Sequence, residues 1–277
     1  MATVGQLRVT RTRASRLSQV DFDNIPFGRV FSDHMLVADY LDSGWESPEI
    51  VPFQTLTLSP CTTTLHYGQS IFEGMKAYRN GQGRPVLFRL KDNFARMNRS
   101  ASRMVMPAIP EEIFVDGVKE LVGLDADWIP NKEGGALYIR PLMFATEDFV
   151  GVKPSDAYKF VIFTCPVGAY YDEPVKLWVT REYVRAAEGG TGEAKTAGNY
   201  ASSYYASKQA LDRGYHNVLW LDGKEHRYIE ECGTMNVFFV IDGVAVTPEL
   251  SGTILRGITR DSAITLLKGM GVKVEER

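Results

Sequence analysis

Cysteine is scarce. The 277 residues hold three, Cys61, Cys165 and Cys232, far apart and odd in number. That argues against a disulfide framework or a cysteine-built zinc site, and it fits a reducing compartment, so a cytoplasmic location is expected. Long apolar runs are missing too: nothing approaches the ~20 residues that span a bilayer. No excess of one charge exists, the net being −3, so no global field draws the chain to nucleic acid or membrane. Internal repeats and low-complexity tracts are absent. Acidic residues are missing from the first 20 positions, where Arg8, Arg11, Arg13 and Arg16 precede Asp21. This reads as a basic surface arm over 1–20, with an organellar import signal as the alternative. What is present is ordinary: 44% hydrophobic and 23% charged residues, a length suited to one large domain or two of normal size, and enough apolar content for a core.

Periodicity supplies the coarse structure. Gln54-Thr-Leu-Thr-Leu58 alternates like a strand, and 86–90 reads as another. Residues 91–106 put Phe94, Met97, Ala101 and Met104 on one helical face. A second helix is predicted over 110–124, opened by Pro110-Glu-Glu and striped by Phe114, Val118 and Leu121, although Gly117 weakens it. Strands follow at 136–144 and 158–164, giving an α+β pattern. Gly168 and the prolines between Pro166 and Pro174 mark a boundary, with an interdomain linker at 171–182. Beyond it come a strand at 176–180, a glycine-rich loop over 189–198 and a helix over 200–213 ended by Gly214. Strands at 217–221, 227–230 and 236–241, a helix over 259–268 and a strand starting at Val272 complete the pattern.

Four places can carry chemistry. Lys195 lies in Gly192-Glu-Ala-Lys-Thr-Ala-Gly-Asn-Tyr200, where Gly189, Gly190, Gly192 and Gly198 let backbone approach a ligand and Tyr200 can set a phenol beside the amine. An amine held there can form a Schiff base with an aldehyde cofactor; the plain alternative is a solvated lysine. In Tyr228-Ile-Glu-Glu-Cys-Gly-Thr-Met-Asn236, Glu230 and Glu231 point to opposite faces of a strand end, one solvated and one buried beside a cation, or both are exposed on an edge. Leu255-Arg-Gly-Ile-Thr-Arg-Asp261 enters a helix whose free N–H groups suit a phosphate, unless Thr259 is a simple N-cap. Arg89, placed on the 86–90 strand, can clamp a phosphate or form a surface ion pair.

Taken in order, these segments resemble the branched-chain amino acid aminotransferases, pyridoxal-phosphate enzymes of fold type IV. The resemblance runs from about Asp21 to the last residue. It is carried by Phe31-Ser-Asp-His-Met35, His66-Tyr-Gly-Gln-Ser-Ile-Phe-Glu-Gly74, Leu137-Tyr-Ile-Arg-Pro141 and Cys165-Pro-Val-Gly-Ala-Tyr170. The Lys195 loop, Glu231-Cys-Gly-Thr-Met-Asn236 and Gly257-Ile-Thr-Arg260 continue it.

The resemblance implies a two-domain α+β fold: a small domain over 21–170 and a large cofactor domain over 183–277. It implies pyridoxal 5'-phosphate (PLP) as cofactor, with Lys195 as its Schiff-base lysine and proton shuttle. Glu231 then faces the pyridine nitrogen, Arg89, Ile258 and Thr259 the phosphate, and Tyr200 and Thr234 the ring oxygen and phosphate side. Phe27, Tyr67, Phe72, Tyr138, Arg140 and Tyr170 form the substrate pocket. Val150 and Val152 sit on a loop that reaches a neighbouring subunit, implying a homodimer. The expected reaction moves the amino group of leucine, isoleucine or valine to 2-oxoglutarate. The alternatives on the same scaffold are a D-amino acid aminotransferase and an aminodeoxychorismate lyase. The family pattern continues past Arg277 with a further phosphate-binding loop, so a large domain truncated at its C-terminus, or an inactive product, is the remaining alternative.

Overall fold

The computed structural model describes residues 5–168 and 173–277. The chain divides into two compact units, Met1–Asp172 and Glu173–Arg277.

The first unit is built on a nine-stranded sheet. Its strands are β1 (Arg8–Val9), β2 (His34–Leu41), β3 (Gly44–Trp45), β4 (Glu49–Pro52), β5 (Ser70–Phe72), β6 (Met75–Arg79), β7 (Pro85–Leu87), β8 (Ala136–Ala145) and β9 (Tyr158–Val167). The main path runs β1-β4-β2-β9-β8-β6-β7, with β3 on β2 and β5 on β8. The long central pair β8–β9 is antiparallel over ten residues. Helices α1 (Thr63–Tyr67), α2 (Leu90–Arg103) and α3 (Gly117–Leu124) complete the unit. Met97 and Ala101 of α2 and Val118 and Leu121 of α3 join Leu36, Ile139 and Phe160 of the sheet in one core. A Cβ at Gly117 would come 2.4 Å from Cδ1 of Leu36; the glycine that weakens the helix lets it pack close on β2.

Pro141 shapes the pocket-bearing part of this sheet. β5 and β6 pair with β8 in one continuous register, Phe72 opposite Leu142 and Met75 opposite Ile139. Pro141 has no N–H to give, and the break between β5 and β6, at Glu73-Gly74, falls opposite Arg140-Pro141. Glu73 N still donates to Pro141 O at 2.9 Å. The Glu73 side chain turns into the core, where Arg96 grips it with two bonds of 2.7 and 2.8 Å and Asn93 adds one of 2.8 Å.

The basic arm is not loose. β1 pairs with β4, Thr12 N donates to His34 Nε2 at 2.9 Å, and Ser15 Oγ and Arg16 N donate to Asp33. Asp33 also accepts from Trp128 Nε1, and His34 Nδ1 meets Asp125 at 2.6 Å. Burial would raise the Asp33 carboxyl, but the Arg16, Ser15 and Trp128 donors outweigh it and hold it low. The Phe31–Met35 motif is thus a buried polar hub.

The second unit holds two small sheets. In one, β10 (Leu177–Val179) runs parallel to β11 (Asn217–Leu221), which pairs antiparallel with β12 (Ile229–Cys232). In the other, β13 (Phe239–Ile241) and β14 (Val244–Thr247) form a hairpin, and β15 (Val274–Glu276) lies parallel to β14. Parallel neighbours need a crossover. Helices α4 (Ala197–Ala201) and α5 (Tyr204–Asp212) provide the first and α6 (Ile258–Gly269) the second. Ala206 and Ala210 of α5 pack on Val218 and Trp220.

Several expectations need correction. Residues 54–58 form no strand; all five are exposed on both faces, so no burial rewards a ladder there. The 86–90 strand ends at Leu87, and Arg89 is the N-cap of α2 in the left-handed region, φ 51°. The predicted 110–124 helix begins with a π-helical turn, Glu112–Asp116, before α3. The 200–213 helix breaks at Ser202-Ser203, whose hydroxyls bond back to the carbonyls of Asn199 and Tyr200, a known helix competitor. The 227–230 strand starts two residues late, because the Asp222 carboxylate gathers the N–H groups of Lys224, Glu225, Arg227 and Tyr228 into a turn. The 236–241 strand shortens to β13, and β14 and all of β1 to β6 escape the sequence pattern. Among the described residues no helix is long and apolar enough to cross a membrane.

Candidate active site

Asn199, on the first turn of α4, sets the position of Lys195. Its Oδ1 accepts from Thr191 Oγ1 at 2.7 Å, and its Nδ2 donates to the carbonyls of Thr191 and Ala194 at 2.8 Å each. Three bonds from one amide pin the loop just ahead of Lys195. The lysine is half-buried and its Nζ donates to Tyr200 Oη at 2.8 Å. Of the glycines expected to let backbone approach a ligand, Gly192 also packs against another loop. A Cβ there would lie 2.3 Å from Thr253 O and 2.7 Å from Thr253 Cα, so the Lys195 loop and the loop before α6 touch backbone to backbone.

Glu231 is the penultimate residue of β12 and is 3% exposed. Its Oε2 lies 2.6 Å from Arg185 Nε. Its Oε1 accepts from Asn236 Nδ2 at 3.1 Å and Leu255 N at 3.3 Å. Burial pushes its carboxyl up, Arg185 pulls it back, and Lys195 adds a weaker pull downward. Glu230 is buried as well, at 6%. The expected split into one solvated and one buried acid therefore fails: the loop over 251–255 reaches both, Thr253 Oγ1 donating to Glu230 and Leu255 N to Glu231.

Tyr200, Glu231 and Thr234 line one cavity, together with Arg185, Gly192, Ala194, Asn199, Ser203, Gly233 and Leu255. Ile258, half-buried, and Thr259, exposed, open the first turn of α6, with Gly257 as N-cap. An amine, a phenol, a buried carboxylate and a helix N-terminus thus occur within one unit.

The first unit carries a different set. Tyr138 and Arg140 are two apart on β8 and share a face; Arg140 Nη2 donates to Tyr138 Oη at 2.7 Å. The guanidinium also stacks over Phe72 at 4.6 Å, and Phe27 meets Tyr138 edge-on at 5.6 Å. Gly74 makes room: a Cβ would come 2.3 Å from Tyr138 Oη. Arg140 Nε is buried without a hydrogen-bond partner among the described residues. Tyr67, the last residue of α1, is 42% exposed, and Val150 and Val152 are 68% and 91% exposed. Arg89 bonds Asp92 at 3.0 Å. Tyr170 lies outside the described residues. Sequence reasoning missed Arg185, Asn199, Asn236 and Thr253. Only Asn199, one turn past Lys195, carried a local signal.

The model of the family Amino-transferase class IV matches residues 70–277. The chain belongs to that family. The Bacillus subtilis (strain 168) branched-chain-amino-acid aminotransferase 2 is 52% identical over 275 residues, 98% of this chain and 76% of that protein. The Mycolicibacterium smegmatis branched-chain-amino-acid aminotransferase is 47% identical, over 92% of this chain and 72% of that protein. Among solved structures, the Escherichia coli branched-chain amino acid aminotransferase matches with TM-score 0.72 and 29% identity, over 87% of this chain and 77% of that one. The T.th. branched-chain amino acid aminotransferase complexed with N-(5'-phosphopyridoxyl)-L-glutamate matches with TM-score 0.70 and 31% identity, over 86% and 75%. The class IV aminotransferase described here is therefore a PLP-dependent enzyme of fold type IV.

Proposed function

We propose that this aminotransferase moves the amino group between L-leucine, L-isoleucine or L-valine and 2-oxoglutarate, with Lys195 as the lysine that binds and works on PLP. The observation that carries the reading is the Lys195 amine 2.8 Å from the Tyr200 phenol, with Tyr200 and the buried Glu231 lining one cavity. The relatives' names point to branched-chain amino acids, and the phosphopyridoxyl-glutamate complex of one of them supports both the cofactor and the second substrate.

The residues present fit that cofactor. Glu231 offers a buried carboxylate suited to a protonated ring nitrogen. Tyr200 and Thr234 offer hydroxyls, and Ile258 and Thr259 the N–H groups of a helix start, which suit a phosphate. When bound, PLP supplies an aldehyde that an amine can condense with and a ring that takes up the electron pair of a broken Cα–H bond. Lys195 Nζ would take the proton from the substrate Cα and give it to the carbon of the former aldehyde, general acid–base work on one nitrogen. Tyr200 holds that nitrogen in place, and Asn199 holds the loop.

The branched side chain goes to Phe27, Tyr67, Phe72 and Tyr170, and the second carboxylate of glutamate to Tyr138 and Arg140. Such a pocket separates substrates by about 1–3 kcal/mol per methylene. The same reading makes the protein a cytoplasmic homodimer, with the exposed Val150 and Val152 reaching the partner. Its three cysteines are free, as that compartment favours. The test is a comparison of L-leucine and D-alanine as donors to 2-oxoglutarate with PLP added. Turnover of L-leucine is expected; turnover of D-alanine alone overturns the reading.

A further inference from the structure

Two adjacent carboxylates are buried in the second unit, and one buried cation faces them. The side chain of Arg185 is 8% exposed, and a guanidinium keeps its proton throughout the range in which proteins fold. It balances one carboxylate charge, and geometry decides which. Nε of Arg185 sits 2.6 Å from Glu231 Oε2, while its Nη2 donates to the carbonyls of Gly192 and Thr253. Glu230 receives a neutral donor instead, the Thr253 hydroxyl, on Oε1. Its Oε2 is buried with no hydrogen-bond partner among the described residues. A charged oxygen sealed from water without a donor is far costlier than a neutral one. Burial is the largest influence on the Glu230 carboxyl and raises it; Thr253 and Arg185 pull it back, and Asp222 and Glu188 raise it further.

We propose that Glu230 is a positioning residue that carries a proton at neutral pH and thereby reserves Arg185 for Glu231. The proposal rests on the reading of Lys195 and Glu231 as the chemical centre. Thr253 is the link between the two acids, its hydroxyl on Glu230 and its carbonyl on Arg185, and Ser251 supports that hydroxyl at 2.9 Å. An ionised Glu230 would set a second negative charge before Arg185 and draw it from Glu231, beside which Lys195 also stands.

Infrared difference spectra of the full chain without PLP read the proton directly. A carboxylic-acid carbonyl band is expected at neutral pH in the wild type, lost in Glu230→Gln and kept in Glu231→Gln. Its absence from the wild type, or its survival in Glu230→Gln, overturns the proposal. So does failure of Glu230→Gln to fold, since the amide is a neutral near-isostere of the acid. The positioning role is read from PLP affinity. Glu230→Ala leaves the Thr253 hydroxyl without its acceptor and is expected to weaken PLP binding about tenfold, with Glu230→Gln restoring it to within about twofold. Equal weakening in both variants, or none in either, defeats the role. A wild type that shows the band yet neither takes up PLP nor turns over L-leucine preserves the proton assignment and sinks the functional reading instead.

Discussion

In Met1–Asp172 the interior runs from Leu36 on β2 through Phe114 and Leu121 to Phe160 on β9, each fully buried. In Glu173–Arg277 the corresponding cluster is Trp220 with three smaller neighbours, Ala206, Ala210 and Val218; Leu221, Val246, Ile254 and Ile264 are buried outside it, beside the polar Glu230, Glu231, Arg260, Thr247 and Thr253. The first unit draws its stability from hydrocarbon, at about 25 cal/mol per Å² removed from water, and its wide antiparallel sheet is a stiff platform for Tyr138 and Arg140. The second holds its site together with hydrogen bonds between loops, which contribute only about 0.5–1.5 kcal/mol each but fix directions. Charge chemistry resides where the core is thin, because a carboxylate or amine must be desolvated yet reachable.

The largest test of this contrast is Lys195→Ala. It is expected to lower transamination of L-leucine by at least about 10²–10⁴-fold, the usual worth of a positioned acid–base group, with circular dichroism and thermal midpoint unchanged. Full activity in that variant removes Lys195 from the mechanism. Next in size, Arg96→Met strands the buried Glu73 in the first unit and should cost about 3–5 kcal/mol of stability in denaturant unfolding. A loss well under that range means the Glu73–Arg96 pair is not a keystone of that core.

Titration should separate the units by sign. The Asp33 carboxyl is held low by its donors, so its contribution is present above the ordinary carboxylate range and lost as pH falls through it. Burial raises Glu230 and Glu231, so their contribution is complete below that range and declines as pH rises through their raised values. Hydrogen exchange followed peptide by peptide should show protection around Asp33 rising as pH climbs through the carboxylate range, and protection around β12 falling from that range toward neutral pH; the same direction in both contradicts the assignment. The smallest effect is expected for Tyr138→Phe, which deletes one bond to Arg140, about 0.5–1.5 kcal/mol. It should raise KM for 2-oxoglutarate a few-fold and leave L-leucine unaffected. An equal rise for both substrates places Tyr138 elsewhere in the pocket.

Much of the site is local in sequence, and that part was readable. Lys195 and Tyr200 are five residues apart across a helix start, and Tyr138 and Arg140 are alternate residues of one strand. Arg89 shows the limit: its pattern suits a strand, yet it takes a left-handed turn because α2 starts at the next residue. The pairing of Arg185 with Glu231, 46 positions apart, had no local signature.

By itself the sequence determined the family, the cofactor chemistry and the α+β class, because those rest on residue types at short, fixed spacings. Tertiary structure alone decided that Glu230 and Glu231 are both buried, which of them Arg185 takes, and that Gly192 lets the Thr253 backbone close on the Lys195 loop. Those outcomes depend on loops distant in the chain meeting in space. Burial, unlike helical or strand period, is a property of what covers a residue, and that is settled only when the chain has folded.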